Sequence, residues 1–260
     1  MDLISKAKLQ NIAAETGFNL IYLEKDYFLT ALLYFMKDID GLYFKGGTAL
    51  NKIVFNHTRL SEDLDFTCTA KAGMVKEKIQ EIARANPCFF AGTCTGRENE
   101  KFARIQVYYK SYFREKEHVN VDLNSAAKIY LNPEKRKVKH FYDGIPEFSI
   151  TMLNEKELVA EKIRSLFQRN QPRDYFDAYQ LIRSKREINE KLAMQKLKEA
   201  GLEYDINKIF RGAGKIYSKW DEETTSLTNK PIAYKTAIAA IAKHFRYKEE
   251  KARQRKSQKK

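Results

Sequence analysis

Residues 45–66, KGGTALNKIVFNHTRLSEDLDF, limit what this chain can fold into more than any other stretch. The apolar run LYFK ends in two adjacent glycines and meets the helical pattern ALNKIVF, so a strand must turn sharply into a helix there. Thr48 stands where it would cap that helix. The next run, DLDFTC, predicts a strand on which Asp63 and Asp65 share one face while Leu64 and Phe66 point into the core. Two carboxylates so close repel each other and favour a divalent cation between them. Mg2+ (or Mn2+) suits such a pair, because it takes hard oxygen ligands and completes its shell with water and substrate phosphates. A glycine turn at a helix start favours a phosphate in the same neighbourhood. Taken singly, each feature has a plainer reading: an Asp-x-Asp surface pair, and a turn before a capped helix.

A third carboxylate strengthens the pattern. In VNVDLN, Val119, Val121 and Leu123 face one way, and Asn120, Asp122 and Asn124 face the other. Asp122 therefore has the facing to complete a metal-binding triad with Asp63 and Asp65, holding a second metal and orienting an attacking hydroxyl in two-metal phosphoryl transfer. The alternative is a polar residue on the solvent side of a half-buried strand.

The rest of the chain organises around this segment. Helices are predicted near residues 3–15 and 20–38 with Gly17 between them, a helix over VKEKIQEIARA, and several strands from Phe89 to Asn124. From Asn154 onward helical periodicity dominates, in NEKELVAEKIRSLFQR, PRDYFDAYQLIRS, INEKLAMQKLKEA and PIAYKTAIAAIAKHF. The fold class is therefore α+β. Its expected domains are a core with N-terminal helices over 1–150, a helical domain over 151–247, and a disordered basic tail over 248–260. That tail, KEEKARQRKSQKK, reads as a solvated end or as an electrostatic arm for nucleic acid.

A formal net charge of +14 over 260 residues favours polyanionic partners such as RNA, DNA or nucleotides, unless it is only a lysine-rich solvated surface. The longest apolar run, LTALLYFM, is too short for a membrane span, and the N-terminus lacks signal-peptide features, so a cytoplasmic protein with no membrane partner is expected. Cys68, Cys88 and Cys94 are odd in number and lack CxxC spacing, which predicts reduced thiols. His118 and His140 have no partners at metal-ligand spacing; His57 reads as a solvated loop residue or a nucleotide contact, and Arg59 as a partner for Glu62 or phosphate. The aromatic run RIQVYYKSYF reads as a buried sheet face with a snorkelling edge, with base stacking as the alternative.

KGGTALNKIVFNHTRLSEDLDF also resembles the signature of the AbiEii/AbiGii toxin family of nucleotidyltransferases, in which a Gly-Gly-small turn precedes a Ser-x-Asp-x-Asp strand. EKDYFLTALL, ELVAEKIRSLFQR and PRDYFDAY resemble its other motifs, so the likeness runs in order over about residues 20–185. It implies a nucleotidyltransferase-fold mixed sheet flanked by N-terminal helices and followed by a C-terminal helical bundle. It also implies NTP and Mg2+ as reactants, an acceptor that is tRNA for several members, and a cognate antitoxin.

By position, the resemblance makes Gly46, Gly47 and Thr48 a phosphate cradle and Asp63 and Asp65 metal ligands, and it places Lys162 and Asp174 in the later motifs. Arg173 stands where a lysine is common. Read as residues alone, Leu158, Lys162, Ser165 and Arg169 share a helix face, so Lys162 and Arg169 would reach a triphosphate together or form a plain cationic surface. Asp174 would orient Lys162 or Arg173, or cap the helix after Pro172. The expected activity is metal-dependent transfer of a nucleotide from an NTP to RNA. The alternatives are transfer to a protein hydroxyl and an NTP-binding interaction module that transfers nothing.

Overall fold

The computed structural model describes residues 1–249 and 251. The basic tail expected over 248–260 therefore lies, apart from Lys248, Glu249 and Lys251, outside the described residues. Helix α1 (Lys6–Thr16) is capped by Ser5, whose hydroxyl accepts from the Lys8 amide, and ends at Gly17, whose φ of +72° suits glycine. Helix α2 (Leu20–Met36) is capped by Asn19 and is apolar around nearly its whole circumference, as a core helix must be.

Strand β1 (Leu42–Lys45) then runs into the short helix α3 (Gly46–Ala49), which continues as a π turn over Leu50–Val54. Strand β2 (Asp63–Cys68), helix α4 (Ala72–Ala85), and strands β3 (Gly92–Asn99), β4 (Phe102–Tyr109) and β5 (Glu117–Asn124) follow. Two further strands, β6 (Glu134–Lys137) and β7 (Ser149–Met152), complete one seven-stranded sheet of order β3-β4-β5-β2-β1-β7-β6. The sheet is mixed: β2 runs parallel to β5 and β1 parallel to β7, while the other neighbours are antiparallel. The expected mixed sheet with N-terminal helices is present. Strands β6 and β7 were not anticipated; each has four residues, and EKRK at the sheet edge carries charge in place of an apolar alternation.

The sheet has one apolar and one polar face. Leu64, Phe66, Ala103, Ile105, Val107, Val119, Val121 and Leu123 are buried beneath α2 and α4, as the alternation in β2, β4 and β5 dictates. Helix α2 also buries two carboxylates, and each is satisfied. Glu24 accepts from the Ser111 hydroxyl at 2.5 Å and the Tyr112 amide at 2.6 Å; Asp26 accepts from Lys52 Nζ at 2.8 Å and the Tyr142 hydroxyl at 2.9 Å.

His57 is not a solvated loop residue. It is 8 % exposed, has a left-handed φ of +61° following Asn56 at +56°, and packs against the Phe141 ring at 4.3 Å. Burial, reinforced by the Lys52 charge and only partly opposed by Asp26, pushes its pKa down to about 3 from 6.5. The unfolded chain then binds a proton that the native chain refuses, so this contribution is complete above pH 6.5 and is lost as pH falls toward 3. Acid denaturation should show a loss on the order of 4 kcal/mol across that window. His57→Asn, which keeps a residue tolerant of positive φ, should flatten the profile. An unchanged slope in the variant would assign the acid sensitivity elsewhere.

The chain divides into two compact units, Met1–Glu155 with Leu227–Asn229, and Lys156–Ser226 with Lys230–Lys260. Helices α5 (Glu155–Gln168), α6 (Pro172–Arg183), α7 (Glu190–Glu199), α8 (Ile206–Arg211), α9 (Ala213–Thr224) and α10 (Tyr234–His244) follow the sheet. Within the second unit α6 packs on α9 and α10, and the buried Trp220 donates its indole N–H to the Ile232 carbonyl at 2.8 Å. Buried Lys196 joins α7 to α5 through Glu157 at 2.6 Å and Glu161 at 3.2 Å. Among the described residues no helix is long and apolar enough to cross a membrane. All three cysteines are free thiols.

Candidate active site

The strand register assembles the carboxylates. Asp65 pairs with Asp122 across β2 and β5, and Asp63 pairs with Asn120, so all four side chains lie on the polar face. Asn120 Nδ2 donates to Asp63 Oδ1 at 2.9 Å, and Lys45 lies across from Asp65 on β1. Asp122 is engaged from the other side. Arg104, its register partner on β4, donates Nε and one terminal amine to the two carboxylate oxygens at 2.6 and 2.5 Å. The Asp122 hydrogen bonds raise the Arg104 pKa further.

Among the described residues no three of His, Cys, Asp or Glu are gathered as a group that could hold a metal. Asp122 shares the face expected of the triad's third member, but its oxygens are directed at Arg104. The Asp63 and Asp65 carboxylates are half-buried on a common face, and this donor set fits a hard divalent cation.

The glycine turn presses directly on Asp65. Gly46 has φ +79°, and a Cβ there would lie 2.1 Å from Asp65 Oδ2; a Cβ on Gly47 would lie 2.6 Å from a terminal nitrogen of Arg59. Backbone, carboxylate and a buried guanidinium thus meet with no room for a side chain between them. Asn51 ties the following loop down, donating to the Gly47 carbonyl at 2.9 Å and accepting from the Thr58 hydroxyl and the Arg59 amide. Gly46→Ala combines positive-φ strain, roughly 1–3 kcal/mol, with displacement of Asp65. Steady-state assay should show kcat/KM lowered about 100-fold with the fold intact by circular dichroism.

Thr48 departs from expectation. Lys45 occupies the cap position of α3 but its side chain makes no capping hydrogen bond, and Thr48 lies inside the helix. Its buried hydroxyl donates to the Asp63 carbonyl at 2.5 Å, so it braces the carboxylate strand and has no proton left for a phosphate.

The later motifs form a second cluster, wholly within the second unit. Lys162 is 6 % exposed, with Nζ 3.0 Å from Asp174 and 2.9 Å from Asp177. Arg169, 53 % exposed, forks onto both Asp174 oxygens at 2.7 and 2.9 Å. Lys162 and Arg169 do share a face, but that face is turned onto carboxylates and Lys162 is not a cationic surface. Of the roles open to Asp174, it takes the partner of Lys162. Burial opposes the Asp174 charge, yet Lys162 and Arg169 together hold its pKa well below the usual carboxylate range.

Four residues of these clusters escaped the sequence reading. Asp177 lies three positions after Asp174 on one helical face, a spacing visible in PRDYFDAY. Asn120 shares the alternation that marked Asp122. Arg104 and Lys45 gave no such signal, since only strand pairing brings them to the carboxylates.

The sequence profile of the AbiEii nucleotidyl transferase toxin, of type IV toxin–antitoxin systems, matches residues 27–258. The chain belongs to this family. It is a nucleotidyltransferase. Among solved structures it is similar to MenT4, a nucleotidyltransferase toxin of Mycobacterium tuberculosis H37Rv, with TM-score 0.72 and 20% identity over 94% of this chain and 89% of that one. JHP933 of Helicobacter pylori gives TM-score 0.58 and 18% identity over 94% of this chain and all of that one. No curated protein matches by sequence. At these identities the structural likeness establishes the fold, and the AbiEii profile carries the assignment to nucleotidyl transfer.

Proposed function

We propose that this AbiEii-family enzyme transfers a nucleotide from an NTP to the end of an RNA, with tRNA as the acceptor, in the cytoplasm and under the control of a cognate antitoxin. The observation that carries the reading is the Asp63–Asp65 pair on one strand face, with Asp65 pressed against the Gly46 turn so that no side chain fits between them. A divalent cation, Mg2+ or Mn2+, held by Asp63 and Asp65 would neutralise charge on the triphosphate oxygens. Gly46 and Gly47 let the phosphates approach the backbone, and Arg59 behind Gly47 adds fixed positive charge.

The acceptor hydroxyl oxygen bonds to the α-phosphorus, the bridging bond to the β-phosphate breaks, and pyrophosphate leaves with the electron pair. Asp122 takes the hydroxyl proton once Arg104 has moved off it. Arg104 is 44 % exposed and has room to swing onto a phosphate. In the second unit, Lys162, Asp174 and Asp177 are positioning residues that hold Arg169 for a phosphate arriving from solvent.

The test supplies each α-labelled NTP in turn with bulk tRNA and cell lysate, and separates labelled RNA from labelled protein. Label in RNA that is lost on chelation and restored by Mg2+ supports the reading. Label confined to protein makes a protein hydroxyl the acceptor. NTP-dependent thermal stabilisation with no labelled product makes the chain a binding module.

A further inference from the structure

The polar face does not stop at the carboxylates. Moving from β5 to β4, Asn120 pairs with Gln106 and His118 with Tyr108; from β4 to β3, Tyr108 pairs with Gly92. The side chains along this path bond to one another. Gln106 Nε2 and His118 Nε2 are 3.2 Å apart, the Tyr108 hydroxyl donates to Gln106 Oε1 at 3.0 Å, and the Tyr108 and His118 rings lie 5.4 Å apart.

The path ends in a hollow of about 500 Å3, lined among others by Gly92, Tyr108, Lys110, Ser111, Arg114 and Lys116. Gly92 lines it with φ +150°, and a Cβ there would project into open space. The rim is held in shape from below, because buried Glu24 binds the Ser111 hydroxyl and the Tyr112 amide. Lys110, Arg114 and Lys116 are all exposed, and Arg114 reaches Glu117 only at 3.4 Å. Tyr108 lies four residues along β4 from Arg104, about 13 Å at strand rise, so the hollow is well beyond the reacting atoms.

We propose that this face, from Asp122 across Gln106, Tyr108 and His118 to the Lys110–Lys116 hollow, is the track that binds the single-stranded end of the RNA acceptor. The proposal rests on the transfer reading above, since it places the acceptor on the side of the carboxylates away from the glycine turn. The chemistry favours RNA. Two adjacent rings provide a stacking surface, a glutamine and a histidine offer donors and acceptors to a base edge, and three cations flank the hollow for phosphates. Of the tyrosine pair in RIQVYYKSYF, Tyr109 is buried and stacks on Phe28 at 4.1 Å, whereas Tyr108 is turned to the open face. Tyr109 takes the buried-face reading of that run, and the proposed track gives Tyr108 the stacking one.

The test measures binding and transfer separately. Affinity for fluorophore-labelled bulk tRNA is followed by anisotropy over a salt series, using the full chain, K110E with K116E, and Tyr108→Ala. The double reversal should weaken binding by tenfold or more and reduce the salt slope by about 1.4, at roughly 0.7 per single-strand phosphate contact. Tyr108→Ala should weaken binding about tenfold with the slope unchanged, since stacking releases no counterions. NTP-dependent thermal stabilisation should persist in both variants.

Unchanged tRNA affinity in both variants would overturn the track. So would a loss of polyglutamate binding equal to the loss of tRNA binding, with Tyr108→Ala silent, which would mark a surface for an acidic protein. A wild-type protein that binds tRNA through these residues yet labels no RNA overturns the transfer reading instead, so the two failures are told apart.

Discussion

Asp63→Asn combined with Asp65→Asn is expected to lower nucleotide transfer by on the order of 1000-fold or more while leaving thermal stability unchanged or raised. The two carboxylates share one strand face with Asp65 set against the glycine turn, and neutralising them removes the charge that would hold a hard cation there. Their mutual repulsion is a cost to the folded protein, and amides of the same shape relieve it while keeping the Asn120 contact. The opposite pattern, with activity within tenfold of wild type, would show that the reacting centre lies elsewhere. A drop in melting temperature with the activity loss would make the pair structural. Parallel thermal melts and a labelled-NTP assay distinguish these results.

The largest stability effect is expected from Asp174→Ala. Its carboxylate is fully buried and accepts from Lys162 and twice from Arg169. Truncating it leaves buried Lys162 with Asp177 as its remaining partner in the pair of carboxylates, a loss of roughly 3–5 kcal/mol by comparison with other broken buried pairs. For a chain of this size that lowers the melting temperature by about 10 °C. Arg169→Gln should cost about 1 kcal/mol or less, because half of that side chain is already in solvent. Equal losses from the two substitutions would mean that the energy of this cluster does not follow burial. Urea denaturation of both variants decides.

How far the sequence carried can be seen from particular residues. The alternation of DLDFTC and VNVDLN put Asp63, Asp65 and Asp122 on the face where they are found, because a strand's period of two follows from backbone geometry alone. The Gly-Gly turn was legible for a similar reason, since a positive φ and a crowded approach leave little choice of residue. Thr48 was misread because a cap and a first-turn residue look alike until the helix start is known. His57 was misread because loop position says nothing about burial.

What no local pattern contains is the neighbour across a strand pair or a helix pair. Arg104 on Asp122, Lys45 beside Asp65, Lys162 between Asp174 and Asp177, and the hollow beside Gly92 all depend on register and packing, which join residues up to tens of positions apart. By itself the sequence determined which carboxylates share one strand face and where the backbone turns on glycine, because periodicity and glycine placement act over a few residues. Tertiary structure alone decided how each is paired, because a buried or neighbouring charge is set by long-range contacts that local spacing does not encode.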